Sequence, residues 1–120
     1  MSYGASAYAK VSQVAMSPRE AEAAVLIKAA RQLQSVRDDW GNQSSALNQA
    51  LVFNQKVWTI LASAATESEN PLPSDVKQGM ARLSAFVFRR IIDTMAEPKA
   101  EKLSALIAIN HNIAAGLSAR

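Results

Sequence analysis

Apolar residues recur three and four positions apart in four separate stretches of this chain. Leu26, Ala30, Leu33 and Trp40 line one face at helical spacing. Leu47, Ala50, Leu51, Asn54, Trp58, Leu61 and Ala65 form a second stripe. Val76, Met80, Leu83, Val87 and Ile91 step by 4-3-4-4, the pattern of a buried helix face. Leu103, Leu106, Ile107, Asn110, Ile113, Ala114 and Leu117 make the fourth. Alanine is abundant, glycine and proline are sparse, and β-branched runs are absent, so the composition favours helix throughout.

Punctuation residues set the expected boundaries. Ser17-Pro18-Arg19-Glu20 is a sharp helix start: Ser17 caps, Pro18 fits the first helical position and Glu20 completes a capping box. The first helix is expected to run to about Asp38 and to be broken by Gly41-Asn42. Ser44 or Ser45 is the expected cap of a second helix reaching about Ala65. Thr66 to Pro73 reads as a polar loop, with Pro73 opening the third helix. Pro98 is expected to end that helix and to start the fourth, which Gly116 caps. Residues 1–16 are small and polar, with Tyr3, Tyr8, Val11 and Val14 as isolated apolar points, and read as a flexible arm. Residues 17–120 read as a single helical domain. Short connections favour antiparallel neighbours. The expected fold is all-α, a small antiparallel bundle of three to four helices with a mobile N-terminal arm.

The faces are wider than one small core needs. On a helical wheel Val76, Met80, Leu83, Val87 and Ile91 fall within roughly 80°. Phe86 lies on one flank, and Phe88, Ile92 and Met95 lie on the other. The apolar arc exceeds roughly 200°, against about 100° for an ordinary surface helix. Either the third helix is central or one flank is a docking surface. Phe53, Val57 and Ile60 widen the second stripe in the same way. Two asparagines, Asn54 and Asn110, sit at the centres of their stripes, and a buried unpaired amide costs about 1–3 kcal/mol. They either bond to each other or to facing backbone and fix helix register, or they meet a partner's backbone. Trp40 and Trp58 are open to two readings, core residues or interface anchors.

Charge and chemistry narrow the function classes. The 120 residues carry 13 basic and 10 acidic side chains, a net charge of +3. That is too dilute to signal nucleic acid strongly. The unopposed basic stretch Lys77, Arg82, Arg89, Arg90 reads first as a solvated helix edge. There is no cysteine and one histidine, His111, so no thiolate site or shared-imidazole metal site can be assembled. The four glycines are scattered and make no phosphate loop. No catalytic set, cofactor or metal is expected, and the chain does not read as an enzyme. Neither a secretory signal nor a membrane-spanning run is seen, so the expected location is the cytoplasm.

The run Ala50 through Trp58, the segment Asn70-Pro71-Leu72-Pro73, and Glu101-Lys102-Leu103 through Leu117 together resemble the FlaF family of flagellar biosynthesis regulators. Ala7-Tyr8 and Ser17 through Ala23 fit its amino-terminal part, so the resemblance spans roughly Tyr8 to Leu117. No single motif is specific; their order and spacing are. The resemblance implies a protein of flagellated alphaproteobacteria that supports flagellin production and export. It implies action opposite the translational repressor FlbT, and binding of flagellin as a secretion chaperone.

One mechanism joins that implication to the helices. An apolar groove on a helical protein can cover an amphipathic segment of an unassembled partner, here a flagellin terminus. The wheel nominates Phe53, Val57, Ile60, Phe86, Phe88 and Ile92 for the groove, with Arg82, Arg89 and Arg90 on its rim. The alternative is a post-transcriptional regulator that binds RNA or FlbT, supported by the basic edge and opposed by the lack of any RNA-binding motif. A third reading is a homodimer that occupies its own surplus face.

Overall fold

The protein is described by a computed structural model over residues 17–67 and 72–118; the arm expected over residues 1–16 lies outside the described residues. In chain order the elements are α1 (Pro18–Asp38), the one-turn α2 (Trp40–Gln43), α3 (Leu47–Thr66), α4 (Ser74–Ala96) and α5 (Leu103–Ser118). Two 3-10 turns, Ser44–Ala46 and Ala100–Lys102, lead into α3 and α5. No strand occurs among the described residues. The fold is the expected all-α bundle, with four long helices.

The start of α1 follows its sequence signature. The backbone N–H of Glu20 donates to Ser17 Oγ at 3.1 Å, and the Ser17 N–H donates to Glu20 Oε1 at 3.0 Å. This reciprocal box satisfies two donors that the helix leaves unpaired, and such a cap contributes about 1 kcal/mol. The other boundaries differ in detail from the sequence expectation. Asp39 ends α1 with φ −130° and ψ 49°, while Gly41 and Asn42 lie inside α2. No described residue has a positive φ, so neither Gly41 nor Gly116 acts as a left-handed cap; Gly116 lies within α5. Ser44 and Ser45 do not cap α3. They form a 3-10 turn that runs straight into the helix, and the Leu47 N–H bonds back to the Ser44 carbonyl. Pro73 is the extended residue before α4 rather than its first helical residue. Pro98 follows the end of α4 by two residues and does not open α5. The chain is extended at Lys99, makes a 3-10 turn, and becomes α-helical only at Leu103.

Lys102 closes that connection. Its ammonium lies 3.1 Å from Asp93 Oδ2 and 3.2 Å from Glu97 Oε1. Burial pulls its pKa down, but the hydrogen bonds and charges of Asp93 and Glu97 outweigh this and the net shift is upward. Arg90 Nη1 also donates to the Lys102 carbonyl at 3.3 Å.

The core is built on α1. This helix packs most closely on α5, then on α3; α4 packs on α3 and scarcely on α5. The described chain measures 44 × 41 × 21 Å, a flat slab with α4 at an edge. Leu26, Ala30 and Leu33 of α1 are fully buried, and the whole α3 stripe from Leu47 to Ala65 is buried. Leu103, Leu106, Ile107 and Ala114 of α5 join them, with Ile113 and Leu117 half-buried. Trp58 is fully buried, and Trp40 packs half-buried against the core. The expected α4 face holds only in its second half. Val87 and Ile91 are buried, Met80 and Leu83 are half-buried, and Val76 is exposed. An edge helix gains cover only where its neighbour reaches, so the amphipathic pattern gives its direction and not its depth.

Candidate functional site

A polar chain crosses the interior where the sequence placed two apolar-face asparagines. Trp58 Nε1–H donates to Asn110 Oδ1 at 2.8 Å, and Asn110 Nδ2 donates to Asn54 Oδ1 at 2.6 Å. All three side chains are fully buried. The chain has a fixed direction. Indole is a donor only, so Asn110 must turn its oxygen to Trp58 and its amide to Asn54. Asn54 must then accept, and its own Nδ2 is left without a partner among the described residues. These bonds join α3 to α5 through long side chains, across a gap their backbones do not close. This is the second half of the core's specification, not a surface for a ligand.

The surface carries an open groove of about 650 Å³ between α1 and α3. Ala24, Ile27, Ala46, Ala50 and Phe53 give it an apolar floor, with Lys28 and Arg31 among its polar edges. The Lys28 ammonium lies 5.4 Å from the centre of the Phe53 ring, a cation–π contact. No acidic side chain lines the groove. Ile60 lies seven residues beyond Phe53, hence on the same α3 face about 10 Å further along, and it is 67% exposed.

The sequence-nominated residues separate into three places. Phe53 is in the groove, and Ile60 extends its α3 wall. Val57 is buried and supports that wall from beneath instead of presenting itself at the surface. On α4, Phe86 is partly exposed and is spaced three or four residues from Arg82, Arg89 and Arg90. The Arg90 guanidinium stacks over the Phe86 ring at 5.3 Å, while Arg82 and Arg89 point to solvent. Phe88 and Ile92, half-buried and exposed, lie on the other flank of the docked face. Below them Met95 helps line a shallow recess of about 520 Å³ with Trp40, Leu47 and Pro98. The expected single groove of six apolar residues is therefore not one surface. The docked face of α4 runs between its two flanks, and of the nominated α3 residues Phe53 alone lines the groove with α1.

None of the α1 residues of that groove was among the sequence candidates. A signal was present: Ala24, Ile27, Lys28 and Arg31 are spaced i, i+3, i+4, i+7, a second stripe beside the buried one.

Among the described residues no three His, Cys, Asp or Glu side chains gather as a metal site. No helix among them is long and apolar enough to cross a membrane. Comparison with curated proteins yields no match, and comparison with solved structures yields none either. A sequence profile does match, over almost the whole chain and across every element described above: the chain belongs to the family of the flagellar protein FlaF, matched over residues 4–117.

Proposed function

We propose that this protein binds flagellin in the cytoplasm as a secretion chaperone and in doing so promotes flagellin synthesis and export. Membership of a flagellar family supplies the biological setting. The observation that carries the reading is the open groove between α1 and α3, whose apolar floor and exposed Ile60 the fold leaves without a partner. Apolar surface of this kind marks interaction sites, and a trench between two helices suits an amphipathic helix. Flagellin termini are such segments and are exposed before assembly. The test is size-exclusion chromatography with light scattering of this protein mixed with monomeric flagellin. A stoichiometric complex is expected; separate elution overturns the reading. Ile60→Asp is expected to weaken that complex about tenfold or more, since it places a charge where an apolar contact forms. At a position so exposed the fold is expected to change by no more than about 0.5 kcal/mol.

A second reading rests on Phe86 and the arginines around it. A Phe86 ring carrying the Arg90 guanidinium, with Arg82 and Arg89 exposed a turn away, suits the bases and phosphates of single-stranded RNA. It predicts retention of flagellin message that falls steeply with salt and is lost in the triple Arg82, Arg89, Arg90→Ala variant. Retention that is unchanged by salt and by these substitutions removes it.

A further inference from the structure

We infer that the α1–α3 groove is selective for the charge of its occupant: it takes an amphipathic helix of a partner protein whose apolar stripe is edged by carboxylates. This deepens the proposed function and rests on its claim that the groove binds a helical segment. The argument is the asymmetry of the lining. Two cations, Lys28 and Arg31, stand at the groove and no acid does. Neither makes an ion pair among the described residues. Where cations of the slab do meet acids, Arg37 lies on Asp38 and Lys102 on Asp93 and Glu97, away from the groove. Lys28 is held against Phe53, so its positive charge borders the apolar floor. A helix that lowers its apolar side chains onto Ala24, Ile27 and Phe53 brings its edge residues within reach of Lys28 and Arg31.

Other occupants fit less well. Residues 1–16 contain one lysine, Lys10, and no Asp or Glu, so the chain's own arm has no carboxylate to offer. A second copy docked groove to groove brings together two linings that each carry cations and no acid.

The test uses the full chain and two designed helical peptides that share one leucine stripe and differ in carrying Glu or Lys along its edges. Binding is measured by fluorescence anisotropy in low and moderate salt. The Glu peptide is expected to bind about tenfold more tightly than the Lys peptide, with the gap narrowing as salt rises. The variant K28E/R31E is expected to reverse the preference. The variant R19E/K99E, which changes net charge equally at exposed positions outside the groove, is expected to leave it in place. An equal effect of both variants reduces the preference to net charge and overturns the inference, as does failure to bind the Glu peptide. A dimer in light scattering that K28E/R31E dissolves assigns the groove to a second copy and also overturns it. Flagellin separates this inference from the reading beneath it. If flagellin binds but the Glu peptide does not displace it, the groove assignment fails and the chaperone reading stands. If the Glu peptide binds with the stated preference and flagellin does not bind, the chaperone reading fails and the groove awaits another acidic helix.

Discussion

Asn110→Leu is expected to destabilise the protein by about 2–6 kcal/mol, and adding Asn54→Leu to it is expected to return most of that loss. The reason is the direction of the buried chain. Asn110 alone serves two neighbours: it accepts from Trp58 Nε1–H and donates to Asn54 Oδ1. Removing it strands both groups in an interior where all three side chains are fully buried. Each stranded polar group costs about 1–3 kcal/mol. Asn54 is the end of the chain and already carries an unpartnered Nδ2. Once Asn110 is gone, Asn54 contributes only unpaired polarity, and leucine in its place removes an orphan acceptor together with an orphan donor. Asn54→Leu by itself strands one group, the Asn110 amide, and is expected to be the mildest of the three variants or close to the double variant. Urea denaturation of the four proteins forms a double-mutant cycle. A double variant less stable than Asn110→Leu would mean that the two asparagines act independently and that the hydrogen-bonded chain is not what holds α3 to α5.

That chain also shows how far the sequence could be read. Two asparagines at the centres of apolar stripes required partners, and the requirement is visible without a structure. That Trp58 is the third member is not, because a helical wheel fixes angles within one helix and says nothing of what faces it. The stripes of α1, α3 and α5 were legible for the same reason that they work: residues three and four apart share a face, and each of those faces meets a neighbour along its length. On α4 the same arithmetic gave the right direction but too much burial, since Val76, Met80 and Leu83 lie where the edge helix outruns its cover. Glycine and proline were over-read as punctuation. Gly41 and Gly116 sit in helical turns with ordinary φ, and Pro98 stands in a connection whose turn comes later, at Ala100–Lys102. The groove was not legible because a helical wheel gives the faces of one helix and not the trench that two helices leave between them. Lys28 and Arg31 belong to a stripe with Ala24 and Ile27, and long cationic side chains commonly cover apolar surface with their stems.

The neighbouring pair Ile91 and Ile92 offers the sharpest test of how α4 is seated. Ile91→Ala is expected to cost about 2–5 kcal/mol, the usual range for emptying a buried aliphatic site. Ile92→Ala is expected to stay within about 0.5 kcal/mol. Ile91 is fully buried and Ile92 is 63% exposed. The contrast matters more here than in a central helix. Along all of α4 only Ser84, Val87, Ile91 and Thr94 are buried, and the two hydroxyls bond within their own helix, to the Met80 and Arg90 carbonyls. Val87 and Ile91 are therefore the two fully buried apolar anchors by which α4 holds to the slab. Losing one is expected to release the helix locally before the α1–α5 pair opens. Hydrogen exchange should then rise across Ser74–Ala96 in Ile91→Ala, while α1 keeps its protection. In Ile92→Ala the exchange pattern should match the parent, which leaves that variant free to report on partner binding without a stability effect. If the two substitutions cost the same, α4 is rotated by a substantial part of the 100° that separates successive residues. Phe86 and its arginines would then turn with it, and the basic face read on α4 would no longer stand clear of α3.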